Sequence, residues 1–160
     1  MDAGAVYVFK NDGNDNFVRV AKITLGDEAA RGDLFGSSVA MEGDYIVVGA
    51  RGREAAYVYK NDGSDDFVQI AELAAYDVEE GDLFGYSVSI DDVYVAVGAV
   101  QKNESGAVYI FRRSALDRFI HVATLTADDA SKGDQFGSSV FIDGARIIVG
   151  AQGKFMIDAA

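Results

Sequence analysis

The side chains able to do chemistry in this 160-residue chain are almost all oxygen donors, for it has no cysteine and a single histidine, His121. Thiolate nucleophiles, cysteine-held zinc, iron–sulfur clusters and disulfides all need sulfur and are excluded. Carboxylates remain. Asp12, Asn14 and Asn16 stand at alternate positions, as do Asp62, Ser64 and Asp66, the spacing with which a calcium-binding loop begins. Neither run has a glycine at its sixth position or a glutamate at its twelfth, so both are expected to be hairpin turns built from residues that make turns. Further acids gather before three Gly-Asp pairs: Asp27 and Glu28 before Asp33, Asp77 with Glu79 and Glu80 before Asp82, Asp128 and Asp129 before Asp134. Two such acids a few ångströms apart would suit glycoside hydrolysis. A cluster would also suit a cation or a basic partner. A catalytic acid is needed once, however, whereas these acids recur in step. The expectation is therefore a solvated acidic rim and no enzyme. His121 fills a slot held elsewhere by Arg19 and Gln69, which predicts a polar surface position and leaves no serine–histidine pair.

The charge balance narrows the partners. Lys and Arg number 14 against 26 Asp and Glu, a net charge of −12. A field of that sign repels phosphate backbones and anionic lipid, so neither nucleic acid nor a membrane surface is an expected partner. No apolar run approaches the roughly 18 residues of a membrane span. Met1-Asp2-Ala3-Gly4 does not open like a signal peptide. The chain instead enters on a strand-like run, Ala5-Val6-Tyr7-Val8-Phe9, as though cut from something longer.

The elements that position these residues are set by an internal repeat. Gly32-Asp33-Leu34-Phe35-Gly36-Ser37-Ser38-Val39 returns as Gly81-Asp82-Leu83-Phe84-Gly85-Tyr86-Ser87-Val88 and as Gly133-Asp134-Gln135-Phe136-Gly137-Ser138-Ser139-Val140. Val48-Gly49-Ala50 returns as Val97-Gly98-Ala99 and Val149-Gly150-Ala151; Phe17 returns as Phe67 and Phe119. A fourth landmark, Ala5-Val6-Tyr7-Val8, recurs near residues 55 and 107. Four landmarks per unit imply four elements, and runs rich in Val, Ile, Tyr and Phe bounded by Gly, Asn and Asp imply strands. In one unit they are predicted over residues 84–90, 94–99, 108–112 and 119–125, the second apolar on consecutive positions and so buried on both faces. Tight hairpins are expected at Glu42-Gly43, Asp91-Asp92 and Asp143-Gly144. No helix is expected. An antiparallel four-stranded meander of about 50 residues, repeated, is the signature of an all-β fold of β-propeller blades.

Blades narrow toward an axis, so Gly36, Ser37, Ser38 and Gly49-Ala50 are read as low-bulk positions on the inner strands. Phe35, Phe84 and Phe136 are read as plugs between blades. Tyr7, Tyr57 and Tyr109, with Phe9, Tyr59 and Phe111, are expected to pack there too. Tyr86 replaces the Ser37 and Ser138 of the other copies, a non-periodic residue placed near the channel mouth. The strands sum to three blades' worth, two complete and one split between the termini: residues 1–31 a C-terminal half blade, 32–80 and 81–132 whole blades, 133–160 an N-terminal half blade.

Phe35-Gly36 followed by Gly49-Ala50, with Ala-Tyr-Val-Tyr beyond, resembles the FG-GAP repeat of integrin α-subunit N-terminal propellers. It is closer to the short-loop variety found in secreted multidomain proteins. The resemblance covers nearly the whole chain. It implies a seven-bladed propeller, outside or on the surface of the cell, that binds a protein or carbohydrate ligand in adhesion and is often stabilised by calcium. Two departures bear on that. The proline of the family signature is replaced by Arg51, Val100 and Gln152. The acidic calcium loop between first and second strands is replaced by tight turns such as Glu42-Gly43-Asp44, too short for the six or more oxygens calcium prefers; the family's metal residues do not transfer, and no cofactor is expected. Arg31-Gly32-Asp33 spells the tripeptide integrins recognise, but Glu80 and Lys132 fill the arginine's slot in the other copies, so its Gly-Asp belongs to the repeat.

The sequence thus points to a noncatalytic binding or adhesion module. The alternatives are a purely structural part of a larger propeller or a carboxylate-based hydrolase. The half blades call for a longer chain or for self-assembly. For calcium, melting curves in chelator and in millimolar calcium are expected to coincide; a rise of several degrees with calcium would restore the metal to the fold.

Overall fold

The computed structural model describes residues 3–154; the outer ends of the two expected half blades, residues 1–2 and 155–160, lie outside them. Twelve strands follow in order: β1 (Val6–Asn11), β2 (Phe17–Ile23), β3 (Phe35–Glu42), β4 (Tyr45–Ala50), β5 (Ala55–Asn61), β6 (Phe67–Leu73), β7 (Phe84–Asp91), β8 (Tyr94–Ala99), β9 (Ala107–Arg113), β10 (Phe119–Leu125), β11 (Phe136–Asp143) and β12 (Arg146–Ala151). They form two four-stranded antiparallel sheets, β3-β4-β5-β6 and β7-β8-β9-β10, flanked by the two-stranded sheets β1-β2 and β11-β12. The four-stranded sheets lie within residues 32–80 and 81–132, read from the repeat as whole blades, and the two-stranded sheets lie within the segments read as half blades. The expectation of no helix needs a small correction. Single 3-10 turns occupy Gly26–Glu28 and Lys102–Glu104, both in connecting loops.

Each inner hairpin turns on two residues, since Glu42 pairs with Tyr45, Asp91 with Tyr94 and Asp143 with Arg146. The turn residues are thus one position later than expected. Gly43, Asp92 and Gly144 take φ of 53°, 50° and 55°, the left-handed region that Gly and Asp tolerate.

Burial follows strand alternation. In the second blade Val95, Val97 and Ala99 of β8 and Ala107, Tyr109 and Phe111 of β9 join Val47, Ala56, Val58 and Leu73 of the first blade in one core. The intervening Ala96, Val108 and Ile110 pack with Ile142, Val140 and Ile147 of the following half blade. The second and third strands of each four-stranded sheet are therefore buried on both faces, as their unbroken apolar runs require. The first blade repeats the pattern, setting Phe35, Val48, Tyr57 and Tyr59 against Val6, Ile23 and Leu25.

Phe35 lies 5.9 Å from Tyr57 and 6.1 Å from Tyr59, and Phe84 lies 5.4 Å from Tyr109 and 6.2 Å from Phe111, the Tyr59, Tyr109 and Phe111 contacts edge-to-face. Phe84 is thus a plug between blades that also stacks on its own third strand. Phe136 has no third strand beside it among the described residues and is only half-buried. At the other end Tyr7 and Phe9 are 49% and 57% exposed, whereas their counterparts Tyr57, Tyr59, Tyr109 and Phe111 are buried.

The glycines make the closest approach between blades. A Cβ on Gly49 would meet the carbonyl oxygen of Gly85 at 2.1 Å, and one on Gly98 would meet that of Gly137 at 2.2 Å. Gly85 itself holds φ +89°, with the Ala55 carbonyl oxygen 2.3 Å from where its Cβ would sit. It lies in a bulge, for the register jumps from Phe84–Ala99 to Ser87–Gly98, and glycine is the residue that bulges at such a φ accept. These glycines do more than keep the inner strands thin. They let neighbouring blade backbones touch.

Phe84→Ala is expected to cost about 3–5 kcal/mol by cavity formation. Gly85→Ala should destabilise well beyond Gly63→Ala, because Gly63 (φ +98°) opens on empty space and loses only the roughly 1–2 kcal/mol of left-handed strain. Equal losses for the two glycines in urea titrations would remove the close-approach argument.

Candidate functional site

The repeated Gly-Asp acids do not form a solvated rim. Asp33, Asp82 and Asp134 are buried, and each accepts a backbone N–H from three residues earlier: Ala30 at 2.7 Å, Glu79 at 2.8 Å and Ser131 at 2.8 Å. Each also meets a cation twenty residues on. Arg53 Nη1 lies 3.4 Å from Asp33, Lys102 Nζ 3.0 Å from Asp82 and Lys154 Nζ 2.9 Å from Asp134. The same cations donate to the carbonyl oxygens of Glu28, Asp77 and Asp129. Every loop between blades is thus clamped to the loop joining the second and third strands of the blade it enters. The clamp also holds Leu34, Leu83 and Gln135 at φ of 54°, 58° and 56°, a conformation costly for such residues. The sequence carried the signal, a cation at a fixed spacing from each Gly-Asp, but a cation is usually read as surface.

This arrangement settles Arg31-Gly32-Asp33 as part of the fold, for its carboxylate is buried in a clamp. Asp27, Glu28, Glu79, Glu80, Asp128 and Asp129 do stay exposed. The hydrogen bond from Lys154 holds the Asp134 carboxyl below the ordinary 3.8 and raises Lys154 in turn.

The alternating polar runs are turns. Asp12 Oδ1 accepts the N–H of Asn14 at 2.8 Å, Asn11 Oδ1 that of Gly13 at 2.8 Å, and Asp62 Oδ1 both the N–H and the hydroxyl of Ser64, at 2.8 and 2.6 Å. Oxygens that would ligate calcium are spent within their own loops, and these hydrogen bonds lower Asp12 and Asp62. The turns between first and second strands, where the integrin-like repeat holds its metal, are two residues long and do not fit it. At this end of the blades Lys10 pairs with Asp65 at 2.9 Å and Lys60 with Asp117 at 2.8 Å. Asp117 also receives the Tyr45 hydroxyl and Arg113.

His121 is more than a polar surface residue. It is half-buried beside the bulge of β10, with its ring 5.5 Å from Tyr109 and 5.6 Å from Phe111 and its Nε2 2.9 Å from the Ala123 carbonyl oxygen. Its counterparts also meet the third strand's aromatics, Arg19 over Tyr7 at 6.0 Å and Gln69 accepting from the Tyr59 hydroxyl at 3.2 Å. Burial pushes the Tyr59 phenol up to about 12.

Two residues that break the repeat meet. Arg51 holds the slot of Val100 and Gln152, Tyr86 that of Ser37 and Ser138, and the Arg51 guanidinium stands 4.9 Å from the centre of the Tyr86 ring. Arg51 lines a groove of about 380 Å³ with Gly4, Leu34, Phe35, Gly36 and Ser37. Its Nε is buried without an acceptor among the described residues. A guanidinium stacked on a ring keeps its edge free to bind a carboxylate or sulfate in a fork, while the ring adds a flat apolar face.

A sequence profile of the FG-GAP repeat matches residues 17–64, 67–111 and 119–156. The chain belongs to the FG-GAP repeat family. No curated protein matches it as a relative. Each FG-GAP match starts at the last strand of one sheet, β2, β6 or β10, and runs into the next sheet, so the sequence repeat straddles the junction that the glycines and clamps hold. FG-GAP proteins are typically noncatalytic and include extracellular proteins. No helix among the described residues is long and apolar enough to cross a membrane.

Asp134 and Asp117 are both held below their ordinary value, Asp117 chiefly by the hydrogen bond from Lys60. Their stabilisation is complete above an unfolded-state pKa near 3.8 and is lost as pH falls through the lower folded values. Tm is therefore expected to hold from neutrality down to about pH 4 and to drop below it, and Asp134→Asn should lower Tm at pH 7 and flatten that acid limb. An unchanged limb in the variant would dissolve the clamp.

Proposed function

We propose that this FG-GAP chain is a noncatalytic binding module for an extracellular protein or glycan, with Arg51 and Tyr86 at the contact surface. The stack of these two residues carries the reading. Arg51 lies in the turn after β4 and Tyr86 in the bulge at the start of β7, at the end of a rigid sheet scaffold where binding residues concentrate, and residues that serve one ligand have no reason to recur in every blade. The chemistry favours a ligand that offers a single carboxylate or sulfate beside a flat ring face, a group the Arg51 guanidinium meets locally against the overall charge of −12. The repeated Gly-Asp acids are occupied in loop clamps, which supports the noncatalytic part. A purely structural role is the second reading, favoured by the apolar side chains exposed at both ends of the array, Tyr7 and Phe9 at one and Phe141 and Ile148 at the other.

Retention on immobilised chondroitin sulfate, hyaluronan and matrix proteins tests this. The native chain should be retained by at least one, and Arg51→Gln with Tyr86→Ser, residues the other copies carry, should abolish retention while moving Tm by no more than about 2 °C. Full retention by the double variant would place binding elsewhere. No retention of either, with no turnover of chromogenic glycosides, would favour the structural role.

A further inference from the structure

The sheets β1-β2 and β11-β12 carry between them the four strand positions of one blade, and we infer that two copies of the 160-residue chain associate through them, β12 of one copy pairing with β1 of the other. Among the described residues β12 pairs only with β11 and β1 only with β2, so each carries a free edge. In both complete blades the second and third strands share one register: Ile46, Val47 and Val48 lie opposite Tyr59, Val58 and Tyr57, and Val95, Ala96 and Val97 opposite Phe111, Ile110 and Tyr109. Carried to the split blade, it sets Ile147, Ile148 and Val149 opposite Phe9, Val8 and Tyr7 of the neighbour.

Three independent features of the surface fit that pairing. The first is aromatic. Phe35 and Phe84 each stack on two rings of their own third strand, and half-buried Phe136 would gain the same pair from Tyr7 and Phe9, which are exposed here. The second is charge. Lys10 reaches forward to Asp65 in the next blade's outer turn, and Lys60 reaches to Asp117. The third members of the two series are Arg112 and Asp15. Both are exposed, neither has an ion-pair partner among the described residues, and the pairing brings them together across the junction. The third is shape. A groove of about 510 Å³ lies beside β12, lined by Tyr94, Ile110, Ile142 and Ile147, and another of about 220 Å³ lies beside β1, lined by Val6, Val8, Val39 and Met41. These are the flanks that an outer and an inner strand pair cover in the complete blades. One register position opposes the pairing, where Arg146 would face Lys10, a lysine already held by Asp65. Two copies would place six blades in a ring, one fewer than the seven of the integrin-like propeller but within the four to eight that propellers use, and each copy would contribute one edge of each kind to a closed head-to-tail pair.

Sedimentation equilibrium of the 160-residue chain should give twice the 17.0 kDa protomer mass. Because the chain has no cysteine, Val8→Cys with Ile148→Cys introduces the only thiols, and mild oxidation should yield a covalent dimer. Phe9→Cys with Ile148→Cys puts the thiols on opposite faces and should not. Arg112→Glu or Asp15→Arg alone should weaken association about tenfold, through two junctions each losing roughly threefold, and the two reversals combined should restore it. A 17.0 kDa monomer at all concentrations up to about 100 μM, a range in which even weak specific pairs associate, would overturn the inference. So would a dimer that crosslinks equally in both cysteine pairs or ignores both charge reversals.

Discussion

The structure depends on how closely two blade backbones can approach. Gly49 lies against Gly85 and Gly98 against Gly137, with no room for a methyl group between them. Blades that touch at the backbone along their inner strands leave the wider outer space for side chains, and the aromatic rings of the first and third strands fill it. The Phe-Gly and Gly-Ala pairs are thus two sides of one contact. The phenylalanine supplies the buried area, and the adjacent glycine lets the bulge press onto the preceding blade. Dispersion and hydrophobic burial fall steeply with separation, so a methyl group at this contact would loosen the whole junction.

Charge serves the same junction from its two ends. At one end a buried aspartate, a backbone amide and a cation clamp each interblade loop. At the other, Lys10 and Lys60 reach to the aspartate in the next blade's outer turn. The acids that recur most faithfully are internal and each is matched by its own cation, so the net charge of −12 is carried by the other residues. A buried carboxylate is tolerated only with hydrogen bonds and a counter-charge, and the clamps give each one both. What remains for recognition is what departs from the pattern, and Arg51 on Tyr86 is where two departures coincide.

Much of this was legible. The strands predicted over residues 94–99 and 119–125 match β8 and β10, and those over 84–90 and 108–112 are one or two residues shorter than β7 and β9, because strand identity follows local patterning that survives in every copy. The buried rings of Tyr57, Tyr59, Tyr109 and Phe111 were legible for the same reason. The clamps were not: Asp33 and Arg53 are twenty residues apart on different loops, and exposure is the default for both residue types. His121 was misjudged similarly, since its surroundings are rings contributed by β9.

The sequence by itself determined the all-β class and the four-strand unit, because alternation, turn residues and repetition are properties of neighbours along the chain. Only the tertiary structure decided which copy meets which. Within one copy Gly36 and Gly49 appear as a pair, yet Gly49 faces Gly85 of the next blade, and each sequence repeat spans two sheets. Contacts between blades join residues tens of positions apart, and a periodic sequence offers several equivalent partners for each. Packing in three dimensions selects among them, since only one stacking closes the backbone contact, buries the rings and pairs the buried charges at once.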